Sequence, residues 1–206
     1  TLLEGLGDYT FHVTSSHPEV QRWFDQGLML TYGFNHDAAE RTFLKATELD
    51  PECAMCWWGA ALVLGPHVNS GMDPANNQKA WQRLQRAIEL APRASEREQA
   101  FIRALSARYA ENPPEDRRPL DEAYAQATGQ LQPKGNTAEI VSILESVMTR
   151  DPDHAGALHL YVHAVEASAD PQRGAAAADR LRELIPGSGH LVHMPAHIYA
   201  RVGRWP

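Results

Sequence analysis

The chain has 206 residues, a length that suits one globular domain or a short array of helical repeats. Its formal net charge of −7 argues against nucleic acid or an anionic membrane as the main partner. No apolar run reaches the roughly 18–20 residues that a transmembrane helix needs. Alanine is abundant and β-branched alternation is nearly absent, so the sequence predicts an all-α protein.

The N-terminal part predicts a lead-in followed by two helices. Residues 1–16 contain glycines and a short extended segment, and we expect them to be irregular. Ser16 is the expected N-cap of the first helix, with Glu19 completing a capping box. Gly33 marks the predicted end of this helix, and Asn35 is the expected cap of a second helix that stops before the next proline.

This helix pair resembles the tetratricopeptide repeat (TPR) family, whose unit is a helix–turn–helix of 34 residues. The residues that match the consensus spacing are Trp23, Gly27, Ala39, Phe43, Ala46 and Pro51. The resemblance implies a right-handed α-solenoid in which the first helix of each pair lines a concave face. It does not imply a particular ligand.

TPR-like repeats are predicted throughout residues 17–206. Their expected bounds are near 17–50, 51–91, 93–128, 136–151, 152–185 and 188–206. The fourth repeat is incomplete, because a first helix is missing around residues 129–136, and we favour an omitted disordered segment over a degenerate unit. The last is a half repeat that would expose an apolar face. It therefore predicts a longer protein or self-association through this helix.

Two histidine-rich segments are similar to motifs of larger bacterial TPR proteins. They are HLYVHAVE, which starts at His159, and GHLVHMPAHIYARVGR, which starts at Gly189. This second resemblance implies a bacterial origin and no defined activity. A chain that begins at Thr1, which is not a natural start, is also consistent with an exported protein whose leader has been removed. The sequence leaves the compartment open.

Four histidines occupy equivalent positions in the last two repeats. His159 and His193 are 34 residues apart (193 − 159), and so are His163 and His197 (197 − 163). Each i, i+4 pair shares one helix face. Adjacent helices pack about 8–10 Å apart. We therefore expect the four imidazoles to face one groove and to reach one metal ion or two close ions.

Glu166 and His190 lie on the same predicted faces as these histidines and are expected auxiliaries. Glu166 could bind the metal, orient an imidazole or act as a general base. Nitrogen donors with one carboxylate suit copper, zinc, nickel or iron, and they do not suit calcium or magnesium. Tyr161 and Tyr199 are interpreted as packing residues. The sequence thus predicts a transition-metal site at the C-terminal repeats.

The same groove allows other functions. A TPR scaffold would grip a peptide or protein partner there, using groove residues of earlier repeats such as Phe24, Leu28 and Trp58. A metalloenzyme would need a metal ion with an open coordination position. The histidines could also bind an anionic ligand or form a structural cluster. No nucleotide-binding glycine loop or hydrolase signature is visible, so catalysis stays undecided.

Four further residues are weaker candidates for metal binding. Cys53 and Cys56 form CAMC at a predicted helix start, where a redox pair or soft-metal site competes with two buried packing residues. His67 lies with Asn69 in a long loop between two helices. His36 begins a helix with a glutamate four residues on, which favours a local hydrogen bond.

Overall fold

The computed structural model describes residues 1–67, 70–128 and 137–204. Over these ranges the regular secondary structure is helical, which confirms the all-α prediction. Among the described helices, none combines the length and hydropathy that crossing a membrane requires. Asn69 and the segment around 129–136, where a helix was expected to be missing, lie outside the described residues.

The α-helices follow one another with short connections. In chain order they are α1 (Val20–Tyr32), α2 (His36–Leu49), α3 (Ala54–Leu62), α4 (Pro74–Leu90), α5 (Glu96–Ser106), α6 (Arg118–Ala127), α7 (Thr137–Arg150), α8 (Ala155–Glu166), α9 (Ala175–Leu184), α10 (Gly189–His193) and α11 (Pro195–Val202). Short 3-10 helices lie at Ala91–Arg93 and Pro171–Gly174. The pairs α1/α2 and α3/α4 fall within the first two predicted repeats, while the solenoid arrangement stays a prediction.

The described residues fall into two compact units. The first holds Thr1–Tyr9, Tyr32–Phe34 and the described residues from 137 to 204. The second holds Thr10–Thr31 and the described residues from 35 to 128. All histidines of the predicted four-histidine site lie in the first unit.

The core of the second unit forms around Phe43. Its side chain is fully buried, and its ring centroid lies 5.4 Å from that of Phe24. A Cβ atom on Gly27 would lie 2.7 Å from the Phe43 ring, and one on Gly59 would lie 2.5 Å from it. Glycine at both positions therefore lets the Phe43 ring approach the main chain.

The groove residues expected for a peptide-binding scaffold belong to this core. Phe24, Leu28 and Trp58 are exposed by 0%, 4% and 7%. Side chains this deeply buried present no open surface to a partner. The prediction that they line an accessible groove is therefore wrong.

The start of α1 also differs from the prediction. The helix begins at Val20 rather than near Ser16. The main-chain N–H and the hydroxyl of Ser16 both donate to Oδ2 of Asp50, at 2.8 and 3.1 Å. The Ser16 hydroxyl is thus engaged by another acceptor, and the capping box expected there is wrong. A complete capping box forms instead at α5, between Ser95 and Glu98.

In the first unit, α8 packs against α7, α9 and α11. Its inward side chains include Val162 and Val165, which are exposed by 0% and 1%. The segment after α9 was expected to form one helix, but it divides at Met194 into α10 and α11. Pro195 has no N–H to donate to the preceding turn, which explains the interruption. Met194 keeps helical backbone angles, with φ −52° and ψ −39°.

Candidate metal centre

Helix α8 carries two of the predicted ligands on one side. His159 and His163 are one helical turn apart, and Glu166 lies at the end of the helix. His159 is only 1% exposed, although it is a titratable side chain. Buried polar groups need hydrogen-bonding or metal partners, so its surroundings indicate its role.

His190 of α10 completes a group of three histidines with His159 and His163. One ring nitrogen of each residue lies within 4.8 Å of one ring nitrogen of each of the others, which is close enough to hold a metal ion. The Nε2 atoms of His190 and His159 are 3.0 Å apart. We call these three residues the histidine triad. His190 was expected as an auxiliary, and the structure places it inside this group.

The orientation of His159 is fixed by the main chain of Tyr32, a residue of the same unit. Its Nδ1 atom lies 2.8 Å from the main-chain oxygen of Tyr32. A carbonyl oxygen can only accept a hydrogen bond, so Nδ1 carries the hydrogen. The lone pair of the neutral ring is then on Nε2, the atom that faces His190. Metal-binding histidines commonly show this arrangement.

The His163 ring is held in the same way by a carboxylate. Its Nδ1 atom lies 3.3 Å from Oε1 of Glu166. Its Nε2 atom is buried and has no hydrogen-bond partner among the described residues. A buried nitrogen that lacks a partner is costly unless it binds something else. This atom is therefore well suited to bind a metal ion.

The triad environment favours neutral imidazoles. Burial lowers the pKa of His159 to about 4; the hydrogen bond to Tyr32 opposes this shift, and the neighbouring histidines add to it. Burial also lowers the pKa of His190, with a further contribution from His163 and the other nearby histidines. Neutral imidazole is the form that binds metal, so these two rings need no deprotonation at pH 7.

His193 and His197 were expected to reach the same ion as His159 and His163, or a second ion close to it. They form a separate pair. Their Nε2 atoms are 3.0 Å apart. The Nδ1 atom of His197 lies 2.5 Å from Oε2 of Glu166. Burial raises the pKa of Glu166, but its hydrogen bonds to His197 and His163 outweigh this effect and lower the pKa. A carboxylate that accepts from two imidazoles thus connects the pair to the triad.

Tyr32 and Phe34 contribute to the site and were not identified from the sequence. The Phe34 ring lies 4.5 Å from the His159 ring, 5.3 Å from His190 and 6.3 Å from His163. Phe34 also has a φ of 56°, the left-handed region that bulky residues rarely occupy. Nothing in the spacing connects residue 34 with residue 159. Gly33 predicted a turn at this point in the sequence, but no signal predicted the contact of Phe34 with His159.

Two tyrosines were interpreted as packing residues and bond away from the triad. The Tyr161 hydroxyl donates to Glu145 at 2.8 Å. The Tyr199 hydroxyl donates to Asp179 at 2.6 Å. Neither hydroxyl is therefore directed at the triad.

The weaker candidates lie in the second unit. Cys53 and Cys56 form a disulfide, so neither offers a thiolate to a metal ion, and the soft-metal alternative is wrong for this state. The rings of His36 and His67 stack with their centroids 4.2 Å apart. Burial and the charges of His67 and Arg108 lower the pKa of His36 to about 4, against the opposing charge of Asp37.

The fold and the site together define an all-helical protein with three histidines close enough to hold a metal ion. Comparison with models of protein families finds no family that matches the chain, and comparison with curated proteins finds no significant match. A function for this protein must therefore be argued from the site itself.

Proposed function

We propose that this protein binds a transition-metal ion through the Nε2 atoms of His159, His163 and His190. The observation that carries the proposal is the buried Nε2 atom of His163, which has no hydrogen-bond partner among the described residues and belongs to a group of three close imidazoles. Hydrogen bonding within a histidine cluster gives no reason to bury a ring nitrogen without a partner. A metal ion would accept its lone pair.

The distances support a single ion. Zinc–nitrogen bonds are about 2.0–2.1 Å long, so the nitrogens of a tetrahedral site lie about 3.3 Å apart. In the triad, the Nε2 atoms of His190 and His159 are 3.0 Å apart, and one ring nitrogen of each residue lies within 4.8 Å of those of the other two. Small rotations of the rings would bring all three nitrogens to one ion. Without a metal ion, a hydrogen bond joins Nε2 of His190 to Nε2 of His159.

The donor set favours a particular class of metal. Three neutral imidazoles suit zinc, copper, nickel or iron, whereas calcium and magnesium prefer oxygen ligands. The main-chain oxygen of Tyr32 and the Glu166 carboxylate bind the far nitrogens of two ligands, as outer partners do in metal sites. Phe34 adds an apolar wall against the three rings. A TPR-like solenoid remains our proposal for the scaffold, supported by the 34-residue spacing of the histidines.

The test is a metal titration of the full chain without an affinity tag. We expect Zn²⁺ to bind the wild type tightly. The variant His190→Ala should weaken this binding at least about 100-fold, because one of three ligands is lost. The matched control is His12→Ala, which removes an exposed histidine outside the first unit. Equal affinity of the wild type and His190→Ala would overturn the proposal.

A further inference from the structure

Outside the triad, the ring nitrogens of two more histidines, His193 and His197, lie in contact. The two Nε2 atoms are 3.0 Å apart, and the ring centroids lie 4.9 Å apart at an interplanar angle of 79°. The residues lie on either side of the break at Pro195, yet the helical backbone of Met194 preserves their i, i+4 relationship. Both rings therefore project from the same side of this segment.

The lone pair of His197 is directed at this contact. Oε2 of Glu166 can only accept when the carboxylate is ionised, so Nδ1 of His197 carries a hydrogen and Nε2 is the free donor atom. The other oxygen of Glu166 holds His163 in the same tautomer. One carboxylate thus directs two Nε2 atoms, one to the triad and one to His193.

We propose that His193 and His197 form a second metal site, distinct from the triad, that takes a zinc, copper or nickel ion. Two imidazole ligands leave coordination positions open for water. His193 is exposed, and the His197 side chain keeps 31% of its surface. An ion bound there exchanges more readily than one held by the triad. The site goes beyond the proposed function, because the pair can bind an ion whether or not the triad does.

A hydrogen bond alone is a weak reason for this arrangement. At an exposed position water competes for both nitrogens, so the net gain from one imidazole–imidazole hydrogen bond is small. The pair also lies beside a further ligand cluster, with the His197 ring 5.8 Å from the His163 ring. Metal binding makes use of both facing nitrogens and of the tautomer that Glu166 imposes.

The experiment titrates Zn²⁺ into the full chain as wild type, His193→Ala, His190→Ala and the double variant. We expect two equivalents for the wild type, the second weaker than the first. His193→Ala should lose the weaker equivalent and keep the tight one, and the double variant should keep neither. His193 is exposed, so its removal should leave the melting temperature of the metal-free protein unchanged.

The outcomes separate the two proposals. Two equivalents of unchanged affinity in His193→Ala would overturn the second site. One equivalent in the wild type that His193→Ala abolishes and His190→Ala retains would support the second site and contradict the triad. One equivalent that only His190→Ala weakens would support the triad and overturn the second site. His12→Ala again controls for the loss of an exposed histidine.

Discussion

The main-chain oxygen of Tyr32 accepts a hydrogen bond from Nδ1 of His159 at 2.8 Å, across 127 residues of sequence. This contact, between two residues of the first unit, holds the ring of the most deeply buried ligand of the triad. It also decides which nitrogen of His159 is available, because a carbonyl oxygen cannot donate. No side-chain substitution at Tyr32 removes it directly, so the tests of the site use other residues.

The first prediction concerns Glu166→Gln. A glutamine side chain has one oxygen and one NH₂ group, so it can accept from only one of His163 and His197 and must present hydrogens to the other. One imidazole then changes tautomer or rotates. We expect Zn²⁺ affinity to fall about 10–100-fold, the usual cost of losing an outer partner, measured by calorimetry with a competing chelator.

The control for this substitution is Glu145→Gln. Glu145 is a half-exposed carboxylate of the same unit that accepts from Tyr161 and Arg173, both at 2.8 Å. The Glu145→Gln substitution removes the same negative charge as Glu166→Gln, but at a position away from the triad. Equal losses of affinity in the two variants would show that Glu166 acts only through net charge, contrary to its assigned role.

The second prediction uses the left-handed backbone of Phe34. Glycine adopts this conformation without a steric cost, whereas an L-residue loses about 1–2 kcal/mol there. Phe34→Gly and Phe34→Ala both remove the ring, so the difference between them reports the backbone. We expect the glycine variant to be more stable than the alanine variant by about 1 kcal/mol in urea unfolding of the metal-free protein. In most helical or extended positions the order is the reverse.

Phe34→Leu completes this comparison, because it keeps an apolar side chain and the same backbone cost. If the Phe34 ring positions the imidazoles, the glycine variant should bind Zn²⁺ more weakly than the leucine variant, although its backbone is relaxed. A glycine variant that is both less stable than the alanine variant and equal to wild type in affinity would contradict this account of Phe34.

The site could be predicted from the sequence only in part. The i, i+4 spacing correctly placed His159 and His163 on one face, because the period of a helix fixes that relationship. The 34-residue equivalence did not give the third member of the group. His190, three residues before His193 in α10, contacts His159 and therefore joins the triad in place of His193.

The fold was predicted at the level of its helices. Glycine and proline signals gave the end of α1 beside Gly33 and the end of α2 before Pro51. The cap at Ser16 failed because Asp50, 34 residues away, takes its hydroxyl. Local rules describe short-range hydrogen bonds, and they cannot foresee an acceptor from another helix end.

The third prediction is a loss of stability in acid. The pKa of His159 is lowered to about 4 in the folded protein, against about 6.5 in the unfolded chain. Between these pH values the unfolded state binds a proton that the folded state does not bind. The unfolding free energy therefore falls as the pH decreases from about 6.5 to about 4. Below about pH 4 the protonation of His159 lowers it no further. The loss for His159 alone is up to about 3 kcal/mol.

Urea unfolding of chelator-treated protein at several pH values measures this dependence. His36, whose pKa is also lowered to about 4, acts in the same direction and adds to the slope. The unfolding free energy of the variant His159→Gln should therefore decrease less in acid than that of the wild type. The decrease that comes from His36 should remain. Parallel curves for the two proteins would mean that His159 is not buried in the neutral form.

The central claim is that three imidazoles hold one ion, and X-ray absorption of the bound metal tests it most directly. The sample is the His193→Ala variant loaded with one equivalent of Zn²⁺, so that the second site does not contribute. We predict three imidazole nitrogens at about 2.0–2.1 Å, with the outer-shell scattering of imidazole rings, and fewer rings when His190→Ala is added. A spectrum with no imidazole scattering, or one unchanged by His190→Ala, would contradict the account.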